Sequence, residues 1–109
     1  MAFRYRLIHH PDAANDYRKA TAYFEEIDAG LAAAFKEDFR SALRNLASDG
    51  AVTTLYAAGC TIRWIKLRRF SHKVFFEPEG QDIRFVLAVI SGKRNPARVR
   101  NVLEDRLPA

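Results

Sequence analysis

The sequence predicts an α+β domain of order β-α-α-β-β-β with a short C-terminal helix, in which a helical hairpin packs on one face of a largely antiparallel four-stranded sheet. Two observations lead to this class. Apolar residues recur at helical spacing over residues 13–47, and they fill three short runs between residues 62 and 90 that turn sequences separate. The helical stripe is too broad for two helices to bury against each other, so it requires a sheet. We predict a single domain spanning residues 1–109.

The first predicted strand covers residues 3–9, FRYRLIH. Apolar and basic residues alternate along it, which is typical of a half-buried strand with a basic solvent face. The inward set is Phe3, Tyr5 and Leu7, and the outward set is Arg4, Arg6 and Ile8.

Two antiparallel helices should follow this strand. Pro11 suits a first helical turn, and the apolar stripe then covers residues 13–27 and resumes over 31–47. Asp28 and Gly30 interrupt the stripe, which predicts a short connection of about three residues.

Residues 48–60 are predicted to form a loop, because glycines and small residues dominate the segment. Strands follow at 62–67, 72–77 and 83–90. The links RRFS and PEGQD suit hairpins, so most of the sheet should be antiparallel. The last strand is apolar on both faces and should lie centrally.

The strand at 62–67 admits two orientations. We favour the one that turns Ile65 and Leu67 inward, because it keeps the charges in solvent. The outward set is then Ile62, Trp64, Lys66 and Arg68. In this orientation Trp64 is an exposed aromatic among cations, which is typical of an interface anchor.

The C-terminal segment predicts a short amphipathic helix that packs on the sheet. Asn95 and Pro96 suit an N-cap and a first helical position. Val99, Val102 and Leu103 then supply an apolar side.

Composition narrows the function classes. The formal net charge of +5 favours an acidic partner, namely nucleic acid, an acidic protein segment or anionic lipid. The single Cys60 and the absence of a secretory leader indicate a cytoplasmic protein, and no apolar run reaches the roughly 18 residues of a membrane span. No metal-ligand spacing or phosphate-binding loop is visible, so we expect no metal and no cofactor.

The most suggestive feature is cationic. One group belongs to the predicted hairpin and a second follows the last strand, and we expect both to lie away from the helical hairpin. The groups are Arg63, Lys66, Arg68, Arg69 and Lys73, then Lys93, Arg94, Arg98 and Arg100. They could neutralise phosphates, stabilise a phosphoryl-transfer transition state, pair with an acidic partner, or form an ordinary solvated face.

Two long segments carry a resemblance to a known family. Residues 22–43, AYFEEIDAGLAAAFKEDFRSAL, and residues 62–96, IRWIKLRRFSHKVFFEPEGQDIRFVLAVISGKRNP, resemble the helical hairpin and the strand region of the RelE/ParE superfamily of bacterial type II toxin–antitoxin toxins. The matching positions in the strand region are Arg63, Leu67, Phe70, His72, Phe76, Val86, Ala88, Val89, Arg94 and Pro96. The resemblance covers nearly the whole chain.

The resemblance implies one of two activities. RelE-like members cut mRNA at the ribosome and need a late Tyr, His or carboxylate, whereas ParE-like members inhibit DNA gyrase without hydrolysis. After the last strand this chain has neither Tyr nor His, and Ser91 stands where many relatives carry His. Its late carboxylates, Glu104 and Asp105, should lie on the exposed side of the last helix. Because ribonuclease chemistry needs a group that accepts the 2′-OH proton, we favour the ParE-like branch with no catalytic residue. A nuclease would use Arg63, Lys66, His72, Lys73 and Arg94.

The resemblance also implies partners. In the resting cell the chain should form a heteromeric complex with a cognate antitoxin, ParD-like or similar, small and acidic. Its target should be DNA gyrase, with the ribosome and mRNA as the alternative, and a non-toxic binding module on the same fold stays open. Target-binding residues would be Arg94, Arg98 and Arg100; antitoxin-binding residues would be Tyr23, Leu31, Trp64, Lys66, Arg68 and Arg69.

Overall fold

The element order confirms the predicted α+β class. The structure is a computed structural model that describes residues 4–107. The elements are β1 (Arg6–His9), α1 (Pro11–Ile27), α2 (Ala29–Ala47), β2 (Thr54–Leu55), β3 (Arg63–Lys66), β4 (Lys73–Glu79), β5 (Ile83–Ile90) and α3 (Pro96–Arg106). None of these helices is long and apolar enough to cross a membrane.

The strands form one mixed sheet of five in the order β1-β5-β4-β3-β2. β1 runs parallel to β5, and the other neighbours are antiparallel. β5 is an interior strand between β1 and β4, as predicted, although the middle strand of the five is β4. The segment 48–60 is not wholly a loop, because Thr54 and Leu55 pair with Trp64 and Arg63 and add a short fifth strand at the edge.

β1 is shorter than the predicted strand. It begins at Arg6, and the predicted Phe3 lies outside the described residues. Tyr5 lies under the guanidinium of Arg84, whose Cζ is 3.8 Å from the ring centroid. Arg84 also donates through Nη1 to the carbonyl of Leu46 at 2.8 Å, so a cation meets the C-terminal end of α2, where it is electrostatically favourable.

A single residue, Asp28, joins the two long helices, where about three residues were predicted. Its backbone N–H donates to the carbonyl of Phe24, and its carboxylate accepts from the N–H of Leu31 at 3.0 Å. Gly30 is part of α2 and leaves space for this cap, because a Cβ there would lie 2.9 Å from Asp28 Oδ2. Asp28 therefore ends one helix and caps the next.

The sheet is covered on both faces. On one face, the helical hairpin buries a cluster whose fully enclosed members include Phe35, Leu46, Val74, Phe76 and Val86. On the other face, α3 buries Leu103 among Ile62, Phe75, Leu87, Ala88 and Ile90. The expectation that the C-terminal helix packs on the sheet is confirmed, and the helix covers the face opposite the hairpin.

β5 is apolar on both faces because helices cover both, and a bulge interrupts its alternation. Phe76 pairs with Val86 and Phe75 pairs with Ala88, so Leu87 has no cross-strand counterpart. An extra residue of this kind breaks the two-residue alternation. Leu87 and Ala88 consequently both face α3, while Val86 and Val89 face the helical hairpin.

The favoured orientation of the 62–67 strand is correct on one side and wrong on the other. Ile65 and Leu67 pack in the cluster under the helical hairpin, as predicted. The opposite face is not exposed to solvent, however, since α3 covers it. Ile62 is only 4% exposed, and Trp64 is partly buried in the α3 cluster rather than exposed.

Candidate functional site

Two links meet at one end of the sheet. The first joins β3 to β4 and the second joins β5 to α3. The backbone N–H of Gly92 donates to the carbonyl of Ser71 at 3.0 Å, and a Cβ on Gly92 would lie 2.6 Å from that same oxygen. Only glycine permits this close approach, and the hydrogen bond holds the two cationic segments side by side.

A buried carboxylate holds the first link against α2. Asp38 is 4% exposed and accepts hydrogen bonds from the backbone N–H groups of Arg68 and Arg69, at 3.2 and 2.8 Å. Arg69 also donates through Nη2 to the carbonyl of Ala34 at 3.3 Å. Asp38 was not among the predicted site residues, although its place on the apolar stripe of α2 between Phe35 and Ala42 was a visible signal.

Between α1 and the two links lies a cleft of about 640 Å³, named the His72 cleft here. It is lined by Asp16, Lys19, Ala20, Tyr23, Phe24, Ile27, Arg69, Phe70, Ser71, His72, Val89, Ser91, Lys93 and Arg94. Tyr23 and Ile27 are 61% and 58% exposed and give the cleft an apolar rim.

The charges of the His72 cleft are mostly positive. Lys19, Arg69, Lys93 and Arg94 line it, and among its lining residues, all within 4–107, Asp16 is the only carboxylate. That carboxylate already forms an ion pair with Arg106. The expectation that the cations lie away from the helical hairpin is therefore wrong for four of them, because Lys93 and Arg94 line a cleft with α1, and Arg68 and Arg69 contact α2.

His72 forms part of the aromatic floor of the cleft. Its ring lies 5.0 Å from Phe35 and 5.9 Å from Phe24, edge-on to both. Its Nδ1 is buried and has no hydrogen-bond partner within residues 4–107. Burial lowers the pKa of His72 below its ordinary value, and the positive charge of Arg94 lowers it further. The neutral imidazole is therefore the favoured form.

A second, smaller pocket of about 220 Å³, named the Trp64 pocket, opens on the α3 face. Trp64 and Lys73 line it together with the start of α3, and Lys73 Nζ lies 4.3 Å from the centroid of the indole ring. Ser91 and Arg94 line both this pocket and the His72 cleft. Arg94 thus stands at the junction of the two surfaces.

The structure disperses the residues that a nuclease would use. Arg63 donates to the side chain and carbonyl of Thr53 at 2.8 and 3.0 Å, which fastens the segment before β2. Lys66 donates to the carbonyls of Leu67 and Phe70, at 2.9 and 3.1 Å. Lys73 lies over Trp64, on the opposite face of the sheet from His72. Of the five, His72 and Arg94 alone share the His72 cleft.

The residues predicted to bind the target are exposed. Arg94 belongs to the second link, and Arg98 and Arg100 belong to the first turns of α3. Within residues 4–107, none of the three guanidinium groups has a hydrogen bond or an ion pair to another side chain. Asn95 caps α3 by accepting from the N–H of Ala97 at 2.8 Å, which confirms the predicted start of the helix.

The residues predicted to bind the antitoxin do not form one continuous patch. Tyr23 and Arg69 line the His72 cleft, Leu31 is partly buried on α2, and Trp64 lies in the pocket on the other face. Arg68 is exposed beside Asp38. Lys66 is occupied by the carbonyls of its own link.

Comparison with known families decides the identity. The sequence model described as the ParE toxin of the type II toxin–antitoxin system parDE matches residues 7–96. The chain belongs to the ParE toxin family. A ParE-family chain is the toxin half of such a system, and membership implies a cognate antitoxin of the ParD type. The matched region ends at Pro96, so α3 lies almost entirely beyond it. No curated protein matches the ParE-family chain significantly.

Proposed function

We propose that this ParE-family chain inhibits DNA gyrase by contacts from Arg94, Arg98 and Arg100, without transferring a proton itself. One observation carries the proposal. These three cations are exposed and, within residues 4–107, free of side-chain partners, whereas Arg63, Lys66 and Lys73 are engaged inside the chain. Exposed cations next to the first turns of α3 can meet an acidic protein surface or a DNA backbone without first breaking internal bonds.

One observation favours the ribonuclease alternative. His72 and Arg94 lie in the same cleft, which would hold an imidazole beside a cation. The ring, however, packs edge-on against Phe24 and Phe35 with its Nδ1 buried, which leaves Nε2 as the nitrogen that could accept a proton. Arg63, Lys66 and Lys73, which a nuclease would also use, do not line this cleft, and this dispersal supports the inhibitor over the nuclease.

The antitoxin would occupy the His72 cleft. The cleft combines four cations with the exposed Tyr23 and Ile27, and its one carboxylate is already paired. These features suit an acidic segment with apolar side chains that folds when it binds. Arg94 lines the cleft and also belongs to the proposed target surface. An antitoxin in the cleft would therefore cover part of that surface.

The experiment is a supercoiling assay with purified gyrase and purified toxin. We expect the chain to inhibit supercoiling and to accumulate cleaved DNA. The double variant Arg98→Glu/Arg100→Glu should lose this activity. Its melting temperature should stay close to that of the parent, because surface substitutions usually change the free energy of unfolding by less than about 0.5 kcal/mol. Arg18→Glu is the matched control: Arg18 is an exposed cation of α1 that does not line the cleft.

In cells, expression without antitoxin should cause filamentation and DNA-damage signalling before protein synthesis falls. Pulse-labelling distinguishes the two branches. An immediate fall in protein synthesis, with mRNA cut inside codons, would support the ribonuclease, and absence of any growth effect would support the non-toxic binding module.

Truncation before α3 is a poor test of target binding. Removing α3 would expose the apolar face formed by Ile62, Phe75, Leu87 and Ile90. The resulting loss of fold would abolish activity for any function. Charge reversals on α3 leave Leu103 in place and avoid this ambiguity.

A further inference from the structure

The edge of β5 is only partly covered by a strand. β1 pairs with β5 as far as Val86, and the N–H of His10 then donates to the carbonyl of Val86 at 2.8 Å. Beyond this point the same edge continues through Leu87 to Ile90 without a strand neighbour among residues 4–107. Backbone groups at a buried edge need partners, because an unsatisfied group carries a desolvation penalty.

Two side chains from distant helices supply those partners. Arg106 donates through Nη1 to the carbonyl of Leu87 at 3.1 Å, and Asp16 accepts through Oδ2 from the N–H of Val89 at 3.0 Å. The two side chains also form a bidentate ion pair, in which Arg106 Nη1 lies 2.6 Å from Asp16 Oδ2 and Arg106 Nη2 lies 3.2 Å from Asp16 Oδ1. Arg106 is 14% exposed and Asp16 is 19% exposed, so the pair is largely withdrawn from solvent.

The pair joins layers on opposite faces of the sheet. Asp16 belongs to α1, which packs on one face, and Arg106 is the last residue of α3, which packs on the other. The other attachments of α3 are apolar: Leu103 is its one fully buried residue, and Val99 and Val102 are partly buried beside it. An 11-residue helix is too short to be stable by itself in water, so its docking must hold it.

We propose that Asp16 and Arg106 are a positioning pair that fixes the C-terminal end of α3 and thereby sets the placement of Arg98 and Arg100. A buried ion pair adds little net stability over a well-packed apolar pair. A bidentate pair between an arginine and a carboxylate, by contrast, fixes the relative orientation of the two side chains as well as the distance between them. The pair therefore determines how α3 is oriented on the sheet more than how strongly α3 is attached to it.

The test measures amide hydrogen exchange in the full chain. Arg106→Ala should accelerate exchange over residues 96–106 and at the Val89 amide by about tenfold or more, because it leaves Asp16 buried and uncompensated, while α2 and β4 stay protected. Arg44→Ala is the matched control, since Arg44 forms a half-exposed ion pair with Glu37 on α2. It should leave exchange in α3 unchanged.

A double variant separates positioning from simple packing. Asp16→Leu/Arg106→Met should recover thermal stability, but it cannot bond the carbonyl of Leu87 or the N–H of Val89. Exchange at Val89 and at the end of α3 should therefore stay fast. If this variant restored full protection, or if Arg106→Ala left α3 protected, the positioning role would be refuted. Arg106→Lys keeps the charge but cannot form the bidentate pair, so its exchange rates in α3 should lie between those of the parent and of Arg106→Ala. This variant still tests the proposal if Arg106→Ala does not fold.

The functional readout rests on the proposed gyrase inhibition. Arg106→Ala and the apolar double variant should both inhibit supercoiling about tenfold less well, although Arg98 and Arg100 are intact, because misplaced groups lose the benefit of preorganisation. If the parent chain does not inhibit gyrase, the proposed function fails and the exchange measurements still decide whether the pair positions α3.

Discussion

His72 is the residue at which the two possible activities diverge. Its ring is packed between Phe24 and Phe35, and its Nδ1 has no partner within residues 4–107. His72→Phe keeps an aromatic ring in this cluster and removes every titratable atom. We expect a folded protein, equal to the parent or slightly more stable, because replacing an unsatisfied polar group by an apolar one of similar shape is neutral or favourable. Under the proposed function it should also inhibit gyrase as well as the parent chain does, because no proton transfer is involved.

The measurement is supercoiling inhibition beside thermal unfolding. A nuclease that used this imidazole would lose on the order of a hundredfold or more in rate. A folded His72→Phe protein without toxicity, beside a fully toxic Arg98→Glu protein, would reverse the assignment.

The same imidazole predicts how stability depends on pH. Burial and then Arg94 lower the pKa of His72 in the folded state, and burial also lowers the pKa of His9. An unfolded histidine has a pKa of about 6.5, so between the two values the unfolded chain binds more protons than the folded one. The free energy of unfolding should therefore fall as the pH drops from about 6.5 through the folded pKa values.

Urea unfolding at a series of pH values between neutral and mildly acidic conditions measures this effect. His72→Phe should lose part of the dependence and His9→Gln another part. An identical pH dependence in parent and His72→Phe proteins would show that His72 does not titrate differently on folding.

At the scale of elements, Asp38 is the contact that holds the β3–β4 link to α2. It accepts from two consecutive backbone N–H groups while 4% exposed. Asp38→Ala should lower the free energy of unfolding by about 1.5–3 kcal/mol, which is typical of hydrogen bonds to a charged group. Equilibrium denaturation measures the change.

The neighbouring Glu37 provides the control for Asp38. It forms ion pairs with Arg40 and Arg44 at the surface, and such pairs contribute at most about 1 kcal/mol. Glu37→Ala should therefore be nearly neutral. Equal effects of the two substitutions would mean that the link does not depend on the buried carboxylate.

The elements that sequence could predict are those with a local signal. Asn95 and Pro96 fix the start of α3 through a cap and a restricted backbone angle, and the alternation of Ile65 and Leu67 orients β3. β2 has no such signal, because two residues are too few to alternate and the strand exists only by pairing with β3.

The missed site residues have distant partners. Asp38 bonds to groups 30 and 31 residues away, and Asp16 bonds to Arg106 across 90 residues. No periodicity in a sequence reports such pairs. The prediction that Trp64 is exposed to solvent is wrong for the same reason, since the helix that covers this residue lies more than 30 residues later in the chain. The cationic segments themselves were predictable, but the cleft that they share with α1 was not.

For the molecule as a whole, the arrangement of charge and apolar surface predicts how the antitoxin complex responds to salt. The His72 cleft has cations around an apolar rim of Tyr23 and Ile27. Apolar anchors give most of the affinity in such interfaces, and charges give rate and register. Raising salt from 50 to 200 mM should weaken the complex by less than about tenfold, whereas multi-phosphate binding loses about 10³–10⁵.

Titration calorimetry of the toxin with its antitoxin measures this dependence. Tyr23→Ala should weaken the complex at every salt concentration, and Lys19→Glu should weaken it most at low salt. A steep salt dependence, with no effect of Tyr23→Ala, would mean that charge alone holds the complex.

The bulge in β5 makes the sheet tolerant of losing one residue. Without Leu87, Phe76 would still pair with Val86 and Phe75 with Ala88, and inward and outward positions would alternate without interruption. Deleting Leu87 should give a folded protein that is less stable by at least about 1.5–3 kcal/mol, the contribution of one buried leucine, because the deletion also removes the carbonyl that Arg106 binds. Deleting Phe85 should instead turn Arg84 towards the face that α3 covers and abolish folding, because a one-residue slip exchanges the two faces. Circular dichroism of the two deletion proteins checks this, and equal loss of structure in both would contradict it. The length of β5 can thus change at Leu87 without rebuilding the rest of the sheet.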